Sequence, residues 1–306
     1  MFARSFISSA RGYFDGLSAA DYLALCKPRI AATIVFTAVV GMMLATPGWL
    51  PLSTLIFGGL GIGLSAAAAA AINQVADHRI DALMRRTQRR PLVRGQVGKG
   101  QALSFALSLG LLSMAILIGF VNVLTAMLSL LSLVGYAVVY TLYLKRATPQ
   151  NIVIGGAAGA APPVLGWTAV TGQIDPHALL LFLIIFAWTP PHFWSLAIAR
   201  RDEYAKADVP MLPVTHGVDY TRLQILLYTA LMLVCSVLPY VFYMSGLLYL
   251  AAALVLGGVF LAYAWRMQRD HSDRLAMKTF GYSIIYLFGI FGFLMADHYL
   301  AWLLPP

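Results

Sequence analysis

The stretch that decides the reading is Asn73 to Pro91, NQVADHRIDALMRRTQRRP, which follows the small-residue run Leu64 to Ile72. It gathers Asn73, Asp77 and Asp81 with Arg79, Arg85, Arg86, Arg89 and Arg90 in a chain that is otherwise mostly apolar. If the helix announced by the Ala run continues, Asn73, Asp77 and Asp81 stand at i, i+4 and i+8, and each step turns them only about 40° around the axis. The three then share one face. Two ionised carboxylates on one face repel unless a cation lies between them, and a small set of hard oxygen ligands suits Mg²⁺ bridging to a phosphorylated substrate. The arginines complement this, because a guanidinium pairs with phosphate oxygens as a bidentate fork. The pattern predicts a Mg²⁺-diphosphate site at a membrane surface. The plain alternative is a solvated loop whose Asp and Arg residues pair with each other and with lipid head groups. The Asn-x3-Asp-x3-Asp spacing, with Arg86-Thr87 and Arg90-Pro91 beside it, argues against that alternative.

Composition sets the stage for this charged stretch. The 306 residues are 60% hydrophobic and only 11% charged, with mean hydropathy +0.79. A soluble domain carries roughly a quarter of its residues charged. The chain reads as an all-α polytopic membrane protein. Apolar runs of membrane-spanning length are expected at Ile30 to Thr46, Leu52 to Ile72, Leu103 to Val121, Val123 to Leu144, Ile152 to Val170, Ala178 to Ala199, Leu223 to Tyr243, Leu247 to Trp265 and Phe280 to Leu303. That gives nine transmembrane helices.

The basic residues test the count independently. With the N-terminus in the cytoplasm and strict alternation, all 21 Lys and Arg fall on the cytoplasmic side. A wrong number of spans would scramble that separation, so the C-terminus is expected on the periplasmic side. The net charge of +9 then reflects membrane orientation and affinity for anionic lipid and substrate, not nucleic-acid binding. The expected organisation is one transmembrane domain over residues 1–306. Residues 1–28 form a cytoplasmic interfacial segment, and residues 73–101 and 200–222 form cytoplasmic loops that carry the site. Arg4, Arg11 and the early serines resemble a presequence, but Asp15 and the direct run into the first span favour a short interfacial helix. Cys26 and Cys235 are isolated, which suggests neither a disulfide framework nor a metal cluster.

Working outward, Gly58, Gly59, Gly61 and Gly63 ahead of Ala66 to Ala71 suit close helix packing beneath the charged face. The fourth span ends in Tyr140, Tyr143, Lys145 and Arg146. Taken alone, the last two are membrane anchors. On the same side as the aspartates they become cationic neighbours for a diphosphate. Pro162-Pro163 removes amide donors inside the fifth span and predicts a disturbed helix lining a cavity. The sixth span carries Trp188-Thr189-Pro190-Pro191-His192-Phe193-Trp194. His192 inside a hydrophobic helix is a functional candidate, as a haem ligand or proton carrier, or else a neutral histidine bound to a carbonyl that the prolines free. His78 is turned about 100° from Asp77 and reads as a structural or surface residue, and His177, His216, His271 and His298 receive no role. A second acidic cluster follows with Asp202, Glu203 and Asp208, on the same side as the first. Which of its acids reaches a metal stays open.

Asn73, Asp77, Asp81, Arg86, Thr87, Arg90 and Pro91 resemble the first signature of the UbiA-type intramembrane prenyltransferases. That resemblance implies a UbiA-type helical bundle in which the aspartates hold Mg²⁺ and an isoprenoid diphosphate. Tyr140 to Arg146, Asn151 to Gly156, Pro162-Pro163, Gly166-Trp167, Trp188 to Trp194 and Glu203-Tyr204 through Pro210 to Val214 with Gly217 resemble the haem-farnesylating branch of that family. The match runs from about residue 27 to 222, and the last three spans are similar only in hydropathy. The resemblance implies transfer of farnesyl from farnesyl diphosphate to a vinyl group of haem B, giving haem O in a bacterial inner membrane. Haem A synthase or a terminal oxidase would be a downstream partner.

The residues suit that chemistry. Asn73, Asp77 and Asp81, helped by Asp202 or Glu203, are the candidate metal ligands; Arg86, Arg90, Lys145 and Arg146 are the candidate diphosphate ligands; His192 is the candidate haem contact. Tyr140, Tyr143, Trp188, Phe193 and Trp194 are candidate aromatic walls that exclude water from an allylic cation and stabilise it through their π faces. Two competing functions are a prenyltransferase with an aromatic or quinone-precursor acceptor, and a membrane transporter, for which broken helices and buried polar groups are also usual.

Overall fold

The computed structural model describes residues 18–303, and the expectations for residues 1–17 lie outside them. Ala19–Leu25 (α1) and Pro28–Leu44 (α2) meet at a 53° bend. Leu52–Leu83 (α3), Lys99–Phe120 (α4) and Val123–Val134 (α5) follow, and α5 runs on through a π-helical segment, Gly135–Leu144, and a last turn, Lys145–Ala147. Then come Asn151–Ala160 (α6), Pro162–Thr171 (α7), Pro176–Ala199 (α8), two short helices Arg201–Lys206 (α9) and Leu212–Thr215 (α10), and three long ones, Val218–Val241 (α11), Leu247–Arg266 (α12) and Asp273–Leu303 (α13). Among the described residues eight helical segments are long and apolar enough to cross a membrane, and α1 with α2 supplies a ninth if the bent pair counts as one. They fall where the nine apolar runs were expected.

The differences have physical causes. The second span does not stop at Ile72. From Leu52 to Ile72 the helix rises about 31 Å, the thickness of a hydrocarbon core, and the rest of its 32 residues carries the Asn73 to Asp81 face beyond that depth as one rigid rod. The fifth span is divided at Ala161, ahead of Pro162. Pro162 has no amide to donate to the carbonyl of Ala158, and the Ser132 hydroxyl donates there instead at 3.1 Å. The sixth span runs through Pro190 and Pro191 unbroken.

Two glycines let α2 and α7 touch along their backbones. A Cβ on Gly41 would collide with the carbonyl of Pro163, and one on Gly166 with the carbonyl of Ala38. At the other end of the bundle one buried apolar cluster joins Ile80 and Met84 of the α3 end to Ile152 of α6, Trp194 and Ile198 of α8, and Tyr204, Val209 and Met211 beyond it. The segments bearing the two acidic clusters are therefore packed on a single core.

Candidate active site

The helical extension brings Asn73, Asp77 and Asp81 onto one buried face, at 5%, 2% and 4% exposure. Buried carboxylates need partners, and each has one. Lys145 Nζ donates to Asp77 Oδ2 at 2.6 Å, and the Arg90 guanidinium pairs with Asp81 Oδ2. Asn73 donates through Nδ2 to Asp77 Oδ2 at 2.9 Å and to Thr141 Oγ1 at 3.1 Å. The other Asp77 oxygen, Oδ1, is buried without a hydrogen-bond partner among the described residues.

Local structure places each of these groups. The Thr87 hydroxyl donates to the Asp81 carbonyl at 2.9 Å, satisfying an acceptor at the helix end. The chain turns there and Arg90 comes back onto Asp81. Across from α3, the π-helical segment is the wider helix form often found at functional positions. Its Thr141 hydroxyl donates to the Tyr136 carbonyl at 2.8 Å, five residues back, and accepts from Asn73. Lys145 follows one turn later.

The remaining basic candidates divide. Arg86 is exposed, yet it is the foremost charge acting on the phenol of Tyr204, which burial raises above its ordinary value and Arg86 lowers. The first motif and the second cluster are thus electrostatic neighbours. Arg146 is exposed. Within the second cluster Asp202 points outward, its side chain 84% exposed beside Arg201. Glu203 is turned inward. Its Oε1 accepts from Arg200 at 2.8 Å and its Oε2 is buried without a hydrogen-bond partner among the described residues. Among the described residues no three His, Cys, Asp or Glu side chains converge as a metal site, so neither Asp202 nor Glu203 completes such a set with Asp77 and Asp81. What converges is two carboxylates and an amide. That donor set still fits Mg²⁺, which is held by one or two carboxylates plus substrate phosphate oxygens.

The candidate aromatic walls separate as well. Tyr140 stacks on Tyr136 with centroids 5.4 Å apart and presses against Gly155. Tyr143 is 68% exposed on the far side of the same segment, and Phe193 is 39% exposed. Trp194 is fully buried, edge-on to Tyr228 of α11, as a core residue. Trp188 and His192 belong together, with the imidazole stacked between Trp188 at 4.2 Å and Phe280 of α13 at 4.6 Å. His192 meets no proline-freed carbonyl; its Nδ1 lies 2.6 Å from the Ser283 hydroxyl.

Sequence reading missed three participants. Lys27, counted only as a basic residue of the cytoplasmic side, donates to Asn73 Oδ1 at 2.6 Å. Its place follows from Gln74, whose amide donates to the carbonyls of Ala24 and Leu25 and docks the end of α1 on α3. Thr141 sits within a motif that was noticed for its tyrosines. Ser283 lies in a span without a local signature.

Comparison with known proteins identifies the family and the fold. The UbiA prenyltransferase family model matches residues 34–296. The protoheme IX farnesyltransferase of Methylococcus capsulatus (strain ATCC 33009 / NCIMB 11132 / Bath) is 62% identical over 285 residues, 93% of this chain and 96% of that protein. In fold, the chain is similar to a structure of digeranylgeranylglyceryl phosphate synthase, with TM-score 0.77, 18% identity and coverage of 91% of this chain and 98% of that one. It is also similar to a UbiA homolog from Archaeoglobus fulgidus bound to DMAPP and Mg²⁺, with TM-score 0.60, 18% identity and coverage of 90% and 99%.

Proposed function

The chain belongs to the UbiA prenyltransferase family, and from that premise we infer that it transfers the farnesyl group of farnesyl diphosphate to a vinyl group of haem B, giving haem O and diphosphate. The 62% identity to a protoheme IX farnesyltransferase over nearly the whole of both chains carries the choice of acceptor. The protein is a multi-pass membrane enzyme. We place it in the bacterial cytoplasmic membrane with the N-terminus inside, on the one-sided distribution of its 21 Lys and Arg. Residues 1–306 are read as one prenyltransferase domain with active-site segments at 73–101, which begins as the helical end of α3, and at 200–222. Haem A synthase or a terminal oxidase would take up the product.

In the reaction the allylic C–O bond breaks and the diphosphate leaves with the electron pair. The vinyl π electrons bond to the farnesyl carbon. Water then adds to the resulting cation and loses a proton, leaving a hydroxyethylfarnesyl group. Asn73, Asp77 and Asp81 are the residues proposed to hold Mg²⁺, with Glu203 the better placed of the second-cluster acids. When bound, Mg²⁺ would stabilise the charge that gathers on the leaving diphosphate. Lys145 and Arg90 stand on the carboxylates already and bind diphosphate oxygens, with Arg86 and Arg146 at the exposed rim. Tyr140, stacked on Tyr136, keeps water from the allylic carbon and offers it a π face. His192, fixed by Ser283, contacts the haem or receives the proton released by the added water.

Membranes containing the protein, supplied with Mg²⁺ and farnesyl diphosphate, test the acceptor when offered haem B and 4-hydroxybenzoate in competition. Farnesylated haem supports the reading. Farnesylated hydroxybenzoate with haem unchanged would leave the family standing and overturn the acceptor.

A further inference from the structure

Each of the three oxygen-bearing side chains assigned to Mg²⁺ is already held by a basic side chain, and the three basic side chains come from separate parts of the chain. Lys27, at the bend before α2, donates to Asn73 Oδ1. Lys145, after the π-helical segment, donates to Asp77 Oδ2, and Arg90, from the turn after α3, pairs with Asp81 Oδ2. Their roots are fixed. Lys27 sits in the left-handed region at φ 48, behind two carbonyls gripped by Gln74. Arg90 follows the Thr87 cap, and Lys145 follows the turn that holds Thr141 on Asn73.

We propose that Lys27, Lys145 and Arg90 are place-holders that bar the metal from entering alone and become diphosphate ligands when metal and diphosphate enter together; this makes Lys27 a substrate-binding residue. The inference rests on the reading of this face as a Mg²⁺-diphosphate centre. Lys145 and Arg90 already balance the two carboxylates, leaving no net negative charge to draw a metal in, and Lys27 adds a basic group that repels one whenever it is protonated. A divalent cation arriving alone meets that repulsion in a partly buried site where salt screens poorly. It also finds one oxygen of each ligand taken. A diphosphate arriving alone meets cations whose charge is spent on the carboxylates. When both arrive, the phosphate oxygens accept from the two lysines and the arginine, and the oxygens of Asn73, Asp77 and Asp81 turn to the metal. Every charge then has an opposite neighbour, and no buried carboxylate is left bare during the exchange. The unpartnered Asp77 Oδ1 is an oxygen available to a metal from the start.

The test uses the purified full-length protein in lipid nanodiscs and two separate readouts. The first is Mn²⁺ binding without any diphosphate, followed by the loss of the free-ion electron paramagnetic resonance signal. The second is binding of radiolabelled farnesyl thiolodiphosphate at saturating Mg²⁺. Lys27→Met and Lys145→Met should each bind Mn²⁺ about tenfold or more tightly than wild type, because a like charge has been removed from the site. Each should bind the analogue more weakly. Opposite movement of the two affinities is a signature that simple misfolding cannot give, and having two independent variants guards against one failing to fold. Mn²⁺ affinity that is unchanged or lower in both variants overturns the place-holder role. If adding Asp77→Asn to either lysine variant leaves Mn²⁺ binding intact, the metal lies elsewhere and the underlying reading falls with the inference.

Discussion

His192 Nδ1 lies 2.6 Å from Ser283 Oγ, and the Ser283 hydroxyl itself donates to the Phe280 carbonyl at 2.6 Å. With its proton committed to that carbonyl, the serine oxygen accepts from Nδ1–H, which fixes the tautomer and leaves the Nε2 lone pair as the reactive edge. The Trp188 indole donates to the Ser283 carbonyl at 2.8 Å, so Trp188 and His192 are both tied to one residue of α13. Ser283→Ala should weaken haem binding about fivefold, the worth of one hydrogen bond, without changing farnesyl diphosphate affinity. Titration of the haem Soret band against the variant checks this. Equal loss of both ligands would mean a purely structural effect.

The ion pairs on the α3 face predict a graded response. Arg90→Ala and Lys145→Ala each remove a preorganised donor from the leaving group and should lower kcat about a hundredfold or more. Arg146→Ala, on an exposed side chain, should cost far less. Steady-state haem O formation at saturating farnesyl diphosphate measures the difference.

Within the second acidic cluster the two neighbours should separate. Glu203→Gln removes the charge of an inward carboxyl with a buried unpartnered oxygen and should depress activity strongly, whereas Asp202→Asn on an exposed side chain should be near neutral. Comparable losses in the two variants would argue against this assignment.

Backbone contact between α2 and α7 predicts a fold-level effect. Gly166→Ala places a methyl against the Ala38 carbonyl and should destabilise the bundle by about 1–3 kcal/mol, the usual cost of overpacking. Thermal unfolding in detergent reads it. Gly159→Ala, where a Cβ meets open space, is the control.

Where sequence alone sufficed, the signal was local and periodic. Asn73, Asp77 and Asp81 recur with the period of one helix, and the apolar runs have the length of a bilayer. Lys145 was legible because it lies on the same side as those aspartates. Lys27 was not, because its role depends on a bend and on Gln74 docking two helices 50 residues apart in sequence. Tyr143 and Phe193 sat in the right motifs but face outward: Tyr143 lies in the π-helical segment, whose turn differs from the α-helical one, and Phe193 stands one residue past His192, about 100° around an unbroken helix. Ser283 carries no neighbouring motif, and only the packing of α13 against α8 reveals it.

The most direct measurement is the mass of the haem product formed by purified protein with haem B, farnesyl diphosphate and Mg²⁺, run beside Asp77→Asn and Asp81→Asn. A product heavier than haem B by one farnesyl group plus one water, formed by the wild type and lost in both variants, is the predicted result. Undiminished product from either variant would contradict the site; haem returned unchanged by a folded wild type would contradict the function.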